Sequence, residues 1–199
     1  MLLYNITDEF QTMNEDIKRA VEALRAGGVI LYPTDTVWGL GCDATNREAV
    51  EKIYKIKRRN NSKSMLVLID NASKLNSYID VVPEIAWDLI DLADMPLTII
   101  YPNAKNLASN IIATDGTIGI RVTNEEFSRA LCQRFRMPVV STSANISGSS
   151  TPAVFSEIDE EIRSQVDYVV DYKQEETGSP APSGIIKLGV SGEVTVIRE

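Results

Sequence analysis

The chain has 199 residues, of which 44% are hydrophobic and 24% are charged, a composition typical of one folded domain with a full apolar core. It contains no histidine, which excludes a Ser-His-Asp or Cys-His relay, a histidine general base and a histidine-bound metal. The net charge of −8 argues against a surface that is basic throughout and binds nucleic acid.

Other features predict a cytoplasmic protein that forms a single domain over residues 1–199. No apolar run approaches the roughly 18 residues of a membrane-spanning helix, so no membrane contact is expected. The N-terminus lacks the basic start and the apolar stretch of a signal peptide. Cys42 and Cys132 form no CxxC motif, and we expect two buried thiols in a reducing compartment. No linker or repeat divides the chain.

Hydrophobic spacing and capping signals place the secondary structure in chain order. The pairs Thr12/Glu15 and Thr45/Glu48 resemble capping boxes and each predict the start of a helix. The predicted helices run from Thr12 to Gly27, onward from Thr45, over 83–93, onward from Asn124, and over 156–166. The predicted strands cover residues 29–32, 65–69, 97–101, 117–122, 138–141, 168–171, 185–188 and 194–197. This alternation, with two strands close together at the end, predicts an α/β fold with a twisted, mixed parallel and antiparallel sheet and flanking helices.

Residues 51–63 form a basic segment inside an acidic protein. Six cations oppose Glu51 alone, a local charge of +5, whereas eight acids oppose two bases in residues 157–176, a local charge of −6. One or two cations complement the end of a helix, but six exceed that need. Because arginine binds phosphate oxygens in pairs and lysine supplies a point charge, the segment predicts a polyphosphate site. A short RNA backbone would suit the same residues.

Polar residues also follow several predicted strands, which is where α/β folds place ligands. The run Thr34-Asp35-Thr36 could bind an ammonium or hydroxyl group or a hydrated metal ion, or form an ordinary turn. Arg121 could hold a substrate carboxylate or pair with a carboxylate of the protein. Residues 141–148, Ser-Thr-Ser-Ala-Asn-Ile-Ser-Gly, offer many hydrogen-bond donors to an oxyanion.

The segment Gly39-Leu40-Gly41-Cys42-Asp43-Ala44 matches a GxGxxA dinucleotide pattern. A further loop separates it from the next predicted helix, and the region downstream is basic rather than acidic, so the match is weak. We interpret the two glycines as backbone relief near a ligand. The sequence has no GxxxxGK[ST] motif, which excludes the P-loop mode of ATP binding.

Taken in order, residues 33–41, residues 56–59, Arg121 and residues 141–148 resemble the YrdC-type L-threonylcarbamoyladenylate synthase family. The resemblance runs from about Gly27 to the end of the chain. It implies a YrdC-like fold with a concave ligand groove, and a reaction in which L-threonine, bicarbonate or CO2, and ATP give threonylcarbamoyl-AMP and pyrophosphate. Other proteins then transfer the threonylcarbamoyl group to an adenosine of tRNA.

The resemblance also implies roles for individual residues. Those expected to bind threonine are Thr34, Arg121, Ser141 and Ser183. Lys57 and Arg59 are expected to be catalytic and to contact the ATP phosphates together with Lys63. The remaining nucleotide-binding candidates are Thr117, Ser143, Asn145 and Thr151. Mg²⁺ is expected to arrive with ATP, because no site made only of protein ligands is evident.

The sequence departs from the family pattern at several positions. Arg58 stands where the family usually has glycine, Thr123 replaces a proline, and Gly184 replaces a threonine, while Leu68 and Met95 also differ. These changes leave open a divergent paralogue with weak turnover. A module that binds double-stranded RNA or tRNA, or associates with the ribosome, is the other alternative, although the net charge and the hydroxyl-rich loops favour a compact ligand.

Overall fold

The computed structural model describes residues 2–59, 65–177 and 182–199. The helices are α1 (Leu2–Arg25), α2 (Arg47–Ile56), α3 (Leu75–Tyr78), α4 (Ile85–Asp91), α5 (Glu126–Phe135) and α6 (Glu160–Arg163). The strands are β1 (Ile30–Tyr32), β2 (Gly39–Gly41), β3 (Leu66–Ile69), β4 (Leu97–Tyr101), β5 (Ile118–Val122), β6 (Val139–Ser143), β7 (Tyr168–Val169), β8 (Gly184–Leu188) and β9 (Val194–Arg198). Two 3₁₀ turns lie at Ala72–Lys74 and Phe155–Glu157. Within the described ranges, no helix combines the length and apolarity needed to span a membrane.

The strands form one sheet in the order β7-β1-β2-β6-β3-β5-β4-β8-β9. The pairs β1/β7, β3/β5 and β4/β8 are parallel, and the other neighbouring pairs are antiparallel. The predicted mixed α/β sheet with flanking helices is therefore confirmed. Helix α1 packs against β1 and α5, and α5 packs against β3. The core includes the buried side chains of Leu24, Ile53 and Phe127 from α1, α2 and α5.

Strand β2 was not predicted as a strand, because a three-residue segment with two glycines has little strand character. Its glycines make close approaches possible. A Cβ on Gly41 would lie 2.6 Å from Cε1 of Tyr32, and a Cβ on Gly39 would lie 3.3 Å from Cγ2 of Thr34 and 3.4 Å from Oγ of Ser141. Gly41 thus makes room for the buried Tyr32, and Gly39 lies beside residues of the predicted threonine site.

Three predicted helix starts are wrong. Helix α1 already begins at Leu2, because no glycine or proline interrupts the chain before Gly27. Asn46 rather than Thr45 caps α2, since its side chain accepts hydrogen bonds from the amides of Glu48 and Ala49. The Thr45 hydroxyl instead donates to Asp43 Oδ1 over 2.7 Å.

The third error is at α5, which is capped by the Glu125 carboxylate rather than by Asn124. The long acidic helix predicted over residues 156–166 is also absent. In its place, a 3₁₀ turn ends at Glu157 and the short α6 begins after Asp159, whose side chain accepts from the amide of Glu161. A cap inside the segment restarts the helix and shortens it.

Candidate functional site

A cavity of about 430 Å³ opens where the loop after β1 meets the ends of β2, β5 and β6. The residues predicted for the threonine side all line it, namely Thr34, Arg121, Ser141 and Ser183. They come from four separate segments, so the topology of the sheet brings together what the sequence keeps apart. We call this space the first cavity.

Hydrogen bonds fix the hydroxyl groups of the first cavity. Thr34 Oγ1 donates to the carbonyl of Val37 over 2.7 Å and lies 3.2 Å from Thr36 Oγ1. On the opposite side, Ser183 Oγ lies 3.0 Å from Thr98 Oγ1. Both hydroxyls are thereby oriented before a ligand arrives, which reduces the entropy lost on binding.

Arg121 supplies the positive charge of the first cavity. Its side chain is only 2% exposed, and Nη2 lies 2.8 Å from Asp35 Oδ1 and 3.5 Å from Thr36 Oγ1. Burial lowers the pKa of Arg121, although Asp35 opposes that effect, and the guanidinium remains charged at neutral pH. Burial likewise raises the pKa of Asp35 while Arg121 counteracts it. The protein therefore holds a desolvated cation at the wall of a polar cavity.

A second cavity of about 340 Å³ adjoins the first. The two share Leu66, Ser141, Thr142, Ser143 and Arg198. The floor of the second cavity is one row of directly paired residues across five neighbouring strands, namely Ser141, Leu66, Gly119, Ile100 and Lys187. At the usual strand spacing this row is about 19 Å long, which is the scale of a nucleoside triphosphate.

Positively charged side chains from three parts of the fold line the second cavity. They are Arg59 after α2, Lys187 on β8 and Arg198 on β9. Arg59 Nη1 lies 3.5 Å from Thr142 Oγ1, and burial lowers the pKa of this guanidinium. Arg198 Nε donates to the carbonyl of Ser183 over 2.9 Å. The cations surround the groove from different directions, an arrangement that suits a polyanion.

At the far end of the second cavity, Thr117 and Lys187 both contact Asp115. Thr117 Oγ1 donates to Asp115 Oδ1 over 2.6 Å, and Lys187 Nζ lies 2.9 Å from Oδ2. These hydrogen bonds, the one from Thr117 foremost, lower the pKa of Asp115 to about 2. Thr117, a predicted nucleotide-binding residue, thus lines the second cavity next to Lys187, a cation that the sequence did not single out.

Lys57 and Asn145 lie beside the cavities rather than in their linings. The buried Lys57 ammonium donates to the carbonyl oxygens of Ser143 and Asn145, and the Lys57 carbonyl accepts from the amide of Ser147. The Asn145 amide group donates to the carbonyls of Ile146 and Ser149. Lys57 and Asn145 therefore hold the backbone of residues 143–149 in place through hydrogen bonds. Ser143, in contrast, lines both cavities.

Two further predicted nucleotide residues have different outcomes. Thr151 lines the first cavity, together with Thr34 and Arg121, and not the second. Lys63 lies outside the described residues.

Arg198, Thr142 and Lys187 are lining residues that the sequence did not identify. Arg198 is the penultimate residue of the chain. The pairing of β9 with β8 places it at the groove, where it lines both cavities. Thr142 lies in the hydroxyl-rich run of residues 141–148, between Ser141 and Ser143, but the sequence analysis gives it no individual role. No local signal marks Lys187.

A magnesium ion held by the protein would need oxygen ligands in the linings of the two cavities. Mg²⁺ prefers carboxylate, phosphate and water oxygens, and among the described residues no carboxylate lines the second cavity. The described ranges also contain no group of three or more acidic, cysteine or histidine side chains that could hold a metal ion together. The groove therefore does not fit a magnesium ion held by protein ligands alone.

Comparison with known proteins gives consistent matches over most of the chain. The family model Sua5/YciO/YrdC, described as "Telomere recombination", matches residues 22–199. A threonylcarbamoyl-AMP synthase of Pseudoalteromonas translucida is 36% identical over 181 residues, covering 89% of this chain and 95% of the relative. A putative threonylcarbamoyl-AMP synthase of Methanocaldococcus jannaschii is 34% identical, covering 96% of this chain and 90% of the relative.

Solved structures give the same result for the fold. The P. abyssi Sua5 structure complexed with L-threonine matches with a TM-score of 0.80 and 27% identity over 86% of this chain, which spans about half (50%) of the Sua5 chain. E. coli YciO matches with a TM-score of 0.79 and 29% identity, covering 92% of this chain and 88% of its own. These matches show that the fold of this chain is shared with these proteins.

Proposed function

The chain belongs to the Sua5/YciO/YrdC family, and we propose that it is a threonylcarbamoyl-AMP synthase, a nucleotidyltransferase that joins L-threonine, bicarbonate or CO2, and ATP. Relatives that carry this name align over most of their length. One observation carries the proposal: the first cavity, with a buried arginine and fixed hydroxyls, opens into a second cavity lined by cations, and Ser141 to Ser143 form the boundary.

The chemistry requires two bonds to form. The threonine amine adds to CO2, loses a proton and becomes a carbamate. A carbamate oxygen then attacks the α-phosphorus of ATP, and the bond to pyrophosphate breaks. Neither step needs a protein nucleophile or a histidine base, so the protein contributes by positioning and by electrostatic stabilisation.

On the amino-acid side, we assign the threonine carboxylate to Arg121, because a desolvated guanidinium binds carboxylates strongly. Thr34, Ser141 and Ser183 supply hydroxyl groups around the same space. Thr151 lines this cavity too, and we place it on the threonine side of the boundary instead of on the nucleotide side.

On the nucleotide side, Arg59 and Arg198 are assigned to the phosphates, Ser143 to the α-phosphate at the boundary, and Thr117 to the far end. Lys63 stays a predicted phosphate contact. The catalytic contribution of Lys57 is assigned to holding the loop of Ser143 and Asn145 in place. Mg²⁺ is proposed to enter on the ATP phosphates, since the lining residues offer it no carboxylate.

The product is a mixed anhydride, and we propose that separate transfer proteins carry its threonylcarbamoyl group to tRNA. Binding of tRNA or double-stranded RNA by this chain stays a prediction. A salt titration tests it, because duplex binding weakens steeply as salt concentration rises.

The proposed function is tested by incubating the purified chain with ATP, Mg²⁺, ¹³C-labelled bicarbonate and one amino acid at a time. We expect pyrophosphate release with threonine and a threonylcarbamoyl-AMP that carries the label. Pyrophosphate release without an amino acid, or equally with alanine, would contradict the proposal. Labelled product that forms only when threonine is present would support it.

A further inference from the structure

Asp35 lies between the first cavity and a third, smaller cavity. The third cavity, of about 140 Å³, is lined by Asp35, Asp94, Val122 and Asn124 among others. Asp35 does not line the first cavity, although its neighbours Thr34 and Thr36 do. Its carboxylate is 12% exposed and meets Arg121 Nη2 at 2.8 Å. The carboxylate therefore approaches the guanidinium from the side of the third cavity.

This arrangement uses part of the guanidinium and leaves part of it available. Nη2 is engaged by Asp35 and lies near the hydroxyl of Thr36. The Nε–H of Arg121 is buried and has no hydrogen-bond partner among the described residues. A buried donor without an acceptor is unfavourable, and the ion pair with Asp35 offsets part of the cost of burying this guanidinium at the lining of the first cavity.

We propose that Asp35 is a positioning residue for Arg121, and that it sets the affinity for the amino acid carboxylate without touching the substrate. The inference rests on the function proposed above. An arginine side chain has many rotamers, and an ordered guanidinium loses less entropy when it binds. The buried carboxylate contacts Nη2 and thereby holds the guanidinium of Arg121, which lines the first cavity, in one orientation.

The alternative is that Asp35 competes with the substrate. If the Asp35 carboxylate occupied the site that the threonine carboxylate uses, neutralising it would strengthen threonine binding. The two possibilities predict opposite changes in the KM for threonine, so one variant separates them.

The test compares Asp35→Asn with Asp94→Asn, using pyrophosphate release by the full chain. Asparagine keeps the size of Asp35 and removes its charge. Asp94 is an exposed acid that lines the same third cavity, which makes it a matched control. We expect Asp35→Asn to raise the KM for threonine about tenfold or more, because the buried guanidinium loses its ionic partner, with the KM for ATP unchanged. Asp94→Asn should leave both unchanged.

A double-mutant cycle shows whether Asp35 acts through Arg121. In an Arg121→Lys background, Asp35→Asn should add little further loss, because the fork that Asp35 orients is already absent. Additive losses would overturn the proposal. If Asp35→Asn does not fold, Asp35→Glu keeps the charge but moves it by one methylene group, and it should also raise the KM for threonine selectively.

Two outcomes separate a failure of the proposed function from a failure of the positioning role of Asp35. A wild-type chain that releases no pyrophosphate with threonine would overturn the proposed function and this role with it. A wild-type chain that does release it, beside a folded Asp35→Asn variant with an equal or lower KM for threonine, would overturn the positioning role alone.

Discussion

The adjacent residues Arg58 and Arg59 offer a sharp test of the groove, because they point to different places. Arg59 lines the second cavity, whereas Arg58 contacts Glu161 at the surface through side chains that are 66% and 42% exposed. We therefore expect Arg59→Ala to reduce the rate of pyrophosphate release strongly and Arg58→Ala to reduce it little. Both substitutions remove one positive charge from the same segment, so a general electrostatic effect would act on both.

The expected magnitude follows from the environment of Arg59. Loss of one oriented hydrogen-bond donor to a developing charge lowers the rate roughly 10²–10³-fold. We expect a loss of this size for Arg59→Ala, because the Arg59 side chain is partly buried and lines the second cavity. Loss of the exposed pair at Arg58 removes at most about 1 kcal/mol of stability. Rates are measured by coupled detection of pyrophosphate, with thermal unfolding as the check on folding. Equal losses in the two variants, or a wild-type rate for Arg59→Ala, would refute the reasoning.

Three other substitutions test separate parts of the site. Arg121→Lys keeps a charge beside Asp35 but loses the fork, so the KM for threonine should rise in steady-state assays; an unchanged value would contradict the carboxylate assignment. Burial, and then Arg59, lower the pKa of Lys57 to about 8. The unfolded chain therefore binds that proton more tightly than the folded chain does. As the pH rises from about 8 to 10.5, the free energy of unfolding of the wild type should increase by up to about 3 kcal/mol relative to that of Lys57→Met. Chemical denaturation that gives the same pH dependence of stability for both proteins would refute this. Arg58 has a φ of 49°, so Arg58→Gly should be about 1 kcal/mol more stable than Arg58→Ala by chemical denaturation, and equal stability would count against strain there.

The backbone also accounts for departures from the family pattern. Arg58 occupies a left-handed conformation that glycine adopts without strain. Thr123 donates its amide to the carbonyl of Ile69 over 2.9 Å, and its hydroxyl lies 2.7 Å from Ser128 Oγ. Proline could make neither contact. At Gly184, a Cβ would meet Leu97 at 3.5 Å, an ordinary contact, so nothing in the packing requires glycine there.

The sequence predicts elements well where apolar residues are regularly spaced. Strand β4 covers residues 97–101, the range predicted for it. It predicts less well where one side chain decides a boundary, because Thr45 and Asn46 are both good caps and only the loop geometry at Asp43 selects between them. Strand β2 depends on pairing partners on both sides, and those partners are distant in sequence.

The residues of the candidate site likewise differ in how well the sequence predicts them. Residue type and a place at or after the end of a predicted strand pointed to the segments of Thr34, Arg121 and Ser141, and the family resemblance implied the role of each residue. Side-chain direction could not be predicted for Lys57, which a helix end turns toward the carbonyls of a loop. Arg198 was missed because its place in the groove depends on the β8/β9 pairing, which composition and spacing do not reveal.

The most direct measurement is a crystal structure of the chain with L-threonine and a non-hydrolysable ATP analogue bound together. The account predicts the threonine carboxylate on Arg121, the α-phosphate beside Ser143, Arg59 on the phosphates, and room for one carboxyl group between the amine and the α-phosphorus. Reacting atoms must come within about 3–3.5 Å once the carbamate forms. A nucleotide bound on another face of the sheet, or a threonine remote from Arg121, would contradict it.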